Sequence, residues 1–352
     1  MILLGGFSLD SAVAYYVAKK QVPANTIIRF SVFWSVLATL IIGLIFVPVY
    51  RWLTPGEEFP LGFILLYVGG NLLISFGNAI FYASYRFILP HLIAILVNSG
   101  IILLLLFRKG MQVEDFAFWY FAAFLVQGVI LFVCLIFSQR NSTFEVRIPR
   151  ETLVLFFRYA SHAFLANILF FLLNRVDYLF VRHYTTATDL GNYIQVSRIA
   201  QLFFMLPSMI STVIFPFIAS EKGMAAGVVR KISKVLGVTY LIILLLLAFT
   251  GKTLFPLIFG PSFSGMYFPF LLQIPGVIAV AMIYPYAAYN SGKNRIRTNY
   301  VGAFGALLVL LTGNLIFTPD YGILAAATIS SLAYCCYYGY LVIAHHRQIE
   351  GA

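Results

Sequence analysis

Residues 89–107 read LPHLIAILVNSGIILLLLF, a run of apolar side chains without a charged residue, and Arg86 and Arg108 stand just outside its two ends. An α-helix rises 1.5 Å per residue, so about 20 residues cross the roughly 30 Å hydrocarbon core of a bilayer. Inside that core a helix satisfies its own backbone hydrogen bonds. This segment therefore predicts a membrane-spanning helix.

The rest of the chain has the same character. Hydrophobic residues make up 61% of the sequence and charged residues only 10%, against roughly 45–50% and about 25% in soluble domains. The mean hydropathy is +0.93. These values predict an all-α, polytopic membrane protein. The ten predicted spans are 30–49, 61–83, 89–107, 116–137, 152–179, 192–218, 235–250, 268–289, 300–317 and 322–344, with residues 1–18 as the end of an earlier span.

Basic residues concentrate in alternate gaps between these spans. By the positive-inside rule such gaps are cytoplasmic, which predicts a multi-pass membrane protein with a cytoplasmic C-terminus. The net charge of +11 is spread over short membrane loops rather than one face, so the sequence does not favour a nucleic-acid partner. The basic gaps hold Lys19, Lys20 and Arg29, then Arg86, then Arg140, Arg147 and Arg150, then Lys222, Arg230, Lys231 and Lys234, then Lys293, Arg295 and Arg297.

Two stretches align at an offset of about 200 residues. Residues 11–17 resemble 211–217, and residues 51–55 resemble 252–256. Both matches occupy the same place in the topology, so we predict two homologous halves. The repeat has an even number of spans, which relates the halves by an axis along the membrane normal, as in parallel-repeat transporters.

The duplication also predicts the domain bounds. An incomplete N-terminal lobe comprises residues 1–137, a cytoplasmic linker 138–151, and a six-helix C-terminal lobe 152–352. The first copy reaches its landmark at Ser11 after ten residues, whereas the second takes about 60 residues to reach Ser211. We therefore expect the first helix and much of the second to be missing from the front of the chain, with a natively shortened chain as the alternative.

Two predicted helices carry polar residues on one face inside the membrane. Ionisable groups there cost a few kcal/mol, which makes each a candidate functional residue. Arg198 and Asp177 are predicted at similar depth on neighbouring helices, either as an anion-binding cation with a switchable partner or as a static ion pair. Arg175 is expected to point away from this face, toward lipid head groups. The two faces consist of Tyr159, Ala163, Ala166, Asn167, Phe170, Asn174 and Asp177, and of Arg198, Gln201, Met205, Ser208 and Thr212.

Several short motifs resemble the polysaccharide-transporter branch of the MATE-like exporter superfamily, which comprises the O-antigen and capsule lipid-oligosaccharide flippases. The motifs are residues 174–179 (NRVDYL), 190–193 (LGNY), 206–208 (LPS) with the following Phe215-Pro216, and 6–12 (GFSLDSA). The resemblance covers most of the chain in helix order. It implies two lobes around a central cavity that opens alternately to the two sides of the membrane.

The resemblance further implies a bacterial or archaeal plasma (inner) membrane as the location. It implies a polyprenyl-diphosphate-linked oligosaccharide as cargo, with membrane lipids and other polysaccharide assembly proteins as partners. Cations in the cavity suit the diphosphate, and the candidate substrate-binding residues are Arg198, Asp177, Asn174, Gln201 and Arg86. We expect no catalytic residue, no cofactor and no metal. The alternatives are a drug antiporter of the same fold, which needs a carboxylate such as Asp177 in its lumen, and a membrane-embedded polysaccharide polymerase. An enzyme of that kind needs clustered carboxylates or a large soluble loop, and the sequence has neither.

Overall fold

A computed structural model describes residues 2–54, 61–108, 112–138, 150–220 and 224–350. The helices are α1 (Ile2–Gly6), α2 (Leu9–Ala18), α3 (Ala24–Leu53), α4 (Leu61–Ala83), α5 (Ile88–Phe107), α6 (Val113–Ser138), α7 (Arg150–Leu173), α8 (Asp177–Tyr184), α9 (Ala187–Ala219), α10 (Ala226–Phe259), α11 (Tyr267–Gly292) and α12 (Ile296–Glu350), with a 3₁₀ helix at Pro261–Met266.

Nine helical stretches in the described part of the chain are long and apolar enough to cross a membrane. The last of them, Ile296–Arg347, has 52 residues, which at 1.5 Å per residue is more than twice the thickness of the hydrocarbon core. Gly322 interrupts it with φ 58° and ψ −138°, a conformation that glycine adopts without a steric penalty. The two parts of α12 therefore make two crossings. The predicted all-α, multi-pass architecture is confirmed, and with α12 counted as two crossings the described residues contain ten candidate spans.

A short break divides the span that the sequence predicts as one continuous helix, 152–179. The amide of the Asn174 side chain donates to the Phe170 carbonyl at 2.6 Å, the acceptor that the Asn174 backbone N–H uses in a regular α-helix. The backbone N–H bonds instead to the Phe171 carbonyl at 3.1 Å. The chain tightens into a turn from Asn174 to Val176, and α8 begins at Asp177.

The chain separates into two compact units, Met1–Phe164 and Leu165–Ala352. The boundary lies within α7. The first half of α7 belongs to the N-terminal unit because its aromatic rings pack there: Phe156 stacks on Tyr16 and Tyr159 stacks on Tyr15. Most of the predicted linker 138–151 lies outside the described residues, so the predicted domain bounds remain a prediction.

The N-terminal unit has α4 at its centre, packed against α2, α3 and α6. Helices α4 and α6 cross almost backbone to backbone, because Gly70 sits directly against the main chain of Phe124 and Leu125. A second glycine, Gly128 of α6, packs at the same crossing, where an added Cβ would lie 2.6 Å from the Leu73 side chain. Small residues that let two backbones approach are typical of helix pairs in membranes.

The C-terminal unit has α11 at its centre, packed against α9, α10 and α12. Gly276 of α11 makes the close crossing here: a Cβ added to it would lie 2.7 Å from the Ser331 Cα. The Ser331 hydroxyl accepts a hydrogen bond from the Gly276 N–H and donates one to the Leu272 carbonyl. The helix pair is thus joined by both packing and hydrogen bonds.

The two glycine crossings occupy equivalent places in the two halves. Gly276 follows Gly70 by 206 residues, and Ser331 follows Leu125 by the same 206 residues. This offset is larger than the offset of about 200 residues near the start of the repeat. In the second half, the 3₁₀ helix Pro261–Met266 lies between the start of the repeat and Gly276. Equivalent contacts in corresponding helices are what a parallel duplication predicts.

Candidate functional site

A cavity of about 340 Å³ lies in the C-terminal unit, within α7, α9 and α11 and the turn after α7. One cation, Arg175, is part of its wall. The other lining residues are amides, a hydroxyl and large apolar side chains: Asn167, Asn174, Gln201, Ser208, Phe170, Phe171, Phe204, Met205 and Tyr284. The cavity thus combines one fixed positive charge with polar groups and aromatic rings.

The Arg175 guanidinium is held at this wall by two neighbours. One of its N–H groups contacts the Gln201 side-chain oxygen at 3.4 Å, and its central carbon lies 5.5 Å from the centre of the Tyr178 ring. Gln201 also donates to the Tyr178 hydroxyl at 3.3 Å. An arginine has five N–H donors, so this arrangement orients the side chain and leaves most of its donors for a ligand.

A smaller cavity of about 30 Å³ lies beside the larger one, with room for about one water molecule. Asn174, Gln201 and Phe204 line both cavities. Asp177 is in the wall of the smaller cavity and is 5% exposed. Only one turn of chain therefore separates a buried carboxylate in the small cavity from the cation in the large one.

The Asp177 carboxylate is held by three hydrogen bonds. The Tyr193 hydroxyl donates to one oxygen at 2.5 Å, and the Ser330 hydroxyl donates to the same oxygen at 3.1 Å. The other oxygen accepts the Tyr178 backbone N–H at 3.0 Å. These bonds join α8 to α9 and to the second part of α12, and they satisfy a group that is costly to bury without partners.

The predicted pairing of Asp177 with Arg198 is wrong. Asp177 turns to Tyr193 and Ser330, while the exposed Arg198 guanidinium contacts the Gln195 side chain at 3.5 Å. The prediction assumed an unbroken helix, and the turn at 174–176 changes which way each later side chain points. The same turn places Arg175 in the cavity wall rather than toward the head groups, which corrects that prediction as well.

The remaining predicted site residues lie in different places. Asn174 and Gln201 line both cavities, and the Asn174 oxygen accepts the Tyr334 hydroxyl at 2.9 Å. Arg86 belongs to the N-terminal unit, in the turn between α4 and α5, where it donates to the Ser138 hydroxyl at the end of α6. Neither Arg86 nor Arg198 is among the residues that line these two cavities in the described part of the chain.

Sequence reasoning missed three members of the site, Arg175, Tyr193 and Ser330. Tyr193 is the last residue of the Leu190–Tyr193 motif, and its bond to Asp177 explains why a tyrosine is needed there. Ser330 is 153 residues from Asp177, and nothing local in the sequence points to it. Among the described residues, no three His, Cys, Asp or Glu side chains are grouped to hold a metal ion.

The fold is that of the MATE transporters. A mutant form of the Vibrio cholerae MATE transporter VcmN is similar over 100% of this chain and 86% of its own, with a TM-score of 0.82 and 12% identity. The eukaryotic MATE transporter AtDTX14 gives a TM-score of 0.72 at 15% identity, over 99% of this chain and 86% of its own. The lipid II flippase MurJ gives 0.59 at 14% identity, over 97% and 85%.

The sequence itself identifies the family. Residues 19–267 match the family described as "Polysaccharide biosynthesis protein", so the chain belongs to that family. No curated protein matches the sequence significantly. The predicted branch of the MATE-like superfamily is confirmed, and the prediction of a transporter rather than an enzyme agrees with the family and with the fold.

Proposed function

We propose that this protein is a flippase that moves a polyprenyl-diphosphate-linked oligosaccharide across the inner membrane by alternating access, for the synthesis of a surface polysaccharide. Family membership and the transporter fold support this proposal. The presence of a lipid II flippase among its structural neighbours supports it as well. By the positive-inside rule, the C-terminus and the basic gaps lie on the cytoplasmic side of the membrane.

The Arg175 cavity carries the proposal. A diphosphate offers several anionic oxygens, and arginine binds phosphate through charge-assisted, often bidentate hydrogen bonds. Arg175 is exposed to the cavity and fixed by Gln201 and Tyr178. We assign Arg175 as the principal contact of the diphosphate, with Asn174 and Gln201 beside it. Arg198 and Arg86 remain predicted contacts that this cavity does not support.

A second candidate function rests on Asp177. A buried carboxylate beside a cavity the size of a water molecule is a group that can bind and release a cation. This favours a cation or drug antiporter of the same fold. The position of Arg175 argues against a cationic cargo in the adjacent cavity, because like charges repel strongly where water is scarce. We therefore place the flippase first.

Transport by purified protein in proteoliposomes tests the proposal. The cargo is a fluorescent polyprenyl-diphosphate oligosaccharide, and an impermeant quencher reports how much of it has crossed. The flippase account predicts movement of this lipid well above that in protein-free vesicles, and no uptake of a cationic dye. Dye uptake without movement of any of several lipid-linked glycans would overturn the flippase account in favour of the antiporter.

A further inference from the structure

The Arg175 cavity has an aromatic corner in addition to its cation. Phe170 and Tyr284 meet nearly at right angles, at 77° with ring centres 5.9 Å apart. Phe171 is 52% exposed and adds a third ring to the lining. The flat C–H faces of sugar rings pack well on aromatic rings, which combine a large apolar surface with a rigid shape. A phosphate alone makes no use of these rings.

Amide and hydroxyl groups line the cavity together with the aromatic corner and the cation. Asn167, Asn174, Gln201 and Ser208 line the same cavity. An amide has both donors and an acceptor and a hydroxyl has both roles, whereas arginine only donates. Sugar hydroxyls need partners of both kinds, since a buried hydroxyl without a partner costs about 1–3 kcal/mol. The polar groups of the wall therefore match the hydroxyls of a sugar, and the cation matches a phosphate.

The size of the cavity suits a small ligand. Its volume of about 340 Å³ accommodates one sugar ring with an attached phosphate group. The volume is near the lower end of ligand pockets, at about 300–1,000 Å³.

We propose that this cavity is a subsite for a single glycosyl phosphate, in which Arg175 binds the phosphate and the Phe170–Tyr284 corner, with Phe171, packs against the sugar next to it. This inference rests on the proposed function and specifies it: the C-terminal unit recognises the sugar attached to the diphosphate, and the remaining sugars lie outside the cavity. Selectivity among cargoes then depends on that first sugar.

Binding of small soluble probes to the purified chain in nanodiscs tests this directly. Titration calorimetry compares glucose 1-phosphate, N-acetylglucosamine 1-phosphate, inorganic phosphate and glucose. We expect both glycosyl phosphates to bind more tightly than phosphate or glucose alone. Arg175→Gln is expected to weaken glycosyl phosphate by about 10- to 100-fold, the value of hydrogen bonds to a charged group. Glycosyl phosphates that bind no better than phosphate would overturn the inference.

Phe171→Ala separates the sugar from the phosphate. The side chain is half exposed, so its removal spares the packed core. We expect a loss of roughly two- to tenfold for glycosyl phosphates, the value of one aromatic contact, with no change for inorganic phosphate. Phe249→Ala is the matched control, since this phenylalanine of α10 is 85% exposed and is not part of the cavity lining. Equal effects of the two substitutions would contradict a sugar at the aromatic corner.

The outcomes distinguish this inference from the proposed function. Lipid-linked oligosaccharide that crosses the membrane in an Arg175-dependent way, together with no preference for glycosyl phosphate, overturns the subsite and leaves the flippase intact. Glycosyl phosphate binding that depends on Phe171, without transport of any lipid-linked glycan, supports the subsite and overturns the flippase.

Discussion

Replacing Tyr193 by phenylalanine removes one oxygen atom from the centre of the C-terminal unit. Tyr193 is fully buried, and its hydroxyl donates to the Asp177 carboxylate at 2.5 Å. The ring keeps its perpendicular contact with Tyr178, at a centre-to-centre distance of 5.9 Å. The substitution therefore tests the hydrogen bond and leaves the packing in place. Asp177 retains the bonds from Ser330 and from the Tyr178 N–H.

The expected loss follows from the charge of the acceptor. A hydrogen bond to a charged group contributes about 1.5–3 kcal/mol, whereas neutral bonds between membrane helices average about 0.6 kcal/mol. Tyr240→Phe is a matched control: Tyr240 is 2% exposed, has the same 5.9 Å perpendicular contact with Phe203, and donates to a neutral acceptor, the Phe203 carbonyl. We expect the loss in free energy of unfolding for Tyr193→Phe to be about 2.5 to 5 times the loss for Tyr240→Phe, from the ratio of these contributions.

Unfolding in mixed detergent micelles with increasing SDS, followed by far-ultraviolet circular dichroism, measures both variants. A clearly lower midpoint for Tyr193→Phe than for Tyr240→Phe supports the account. Equal midpoints would contradict this expectation. They would show that Asp177 does not act as a charged acceptor and that its hydrogen bonds contribute no more than neutral ones. If the account holds, the double variant with Tyr193→Phe and Ser330→Ala should lose a free energy of unfolding that differs from the sum of the two single losses, since both hydroxyls bind one oxygen.

Three further predictions concern the helix packing, the cavity lining and the topology. Gly276→Ala should destabilise the protein by about 1–3 kcal/mol in the same unfolding assay, because the close helix crossing leaves no room for a methyl group. A Cβ added to Gly305 would have no packing neighbour within 4 Å, so Gly305→Ala should be neutral or stabilise the protein by up to about 1 kcal/mol. Asn174→Leu removes an amide that lines the cavity and accepts the Tyr334 hydroxyl; it should raise the KM for transport with less effect on the unfolding midpoint, and an unchanged KM would contradict the role given to Asn174. Lys293→Cys, in a background without the native cysteines, should react with an impermeant maleimide only from the cytoplasmic side. Labelling from outside would contradict the predicted orientation.

The spans were predictable because length and hydropathy alone decide whether a helix can cross a bilayer. The structure extends several of them, as in α3, which runs from Ala24 to Leu53 where the sequence predicted 30–49. Gly322 ends one crossing and begins the next, and the sequence placed that boundary correctly by the polar residues before it. The repeat was also visible, although the glycine crossings that it preserves were not.

The site was only partly predictable. Asn174, Asp177 and Gln201 were found because polar residues are conspicuous in an apolar helix. Their arrangement was not found, because the break after Leu173 contains neither glycine nor proline, the usual signals of a helix end. The turn between the end of α7 at Leu173 and the start of α8 at Asp177 redirects the following residues. Arg175 and Asp177 therefore have neighbours that no spacing rule for a continuous helix predicts.

The proposed function requires Arg175, and not Arg198, to bind the diphosphate of the cargo. The most direct test measures the initial rate of transbilayer movement of the fluorescent polyprenyl-diphosphate oligosaccharide for Arg175→Gln and Arg198→Gln in matched proteoliposomes. The account predicts that Arg175→Gln loses about tenfold or more in rate at low cargo concentration, the value of a charged hydrogen bond, while Arg198→Gln stays close to the unsubstituted protein. A rate that falls with Arg198→Gln and is retained with Arg175→Gln would contradict the account.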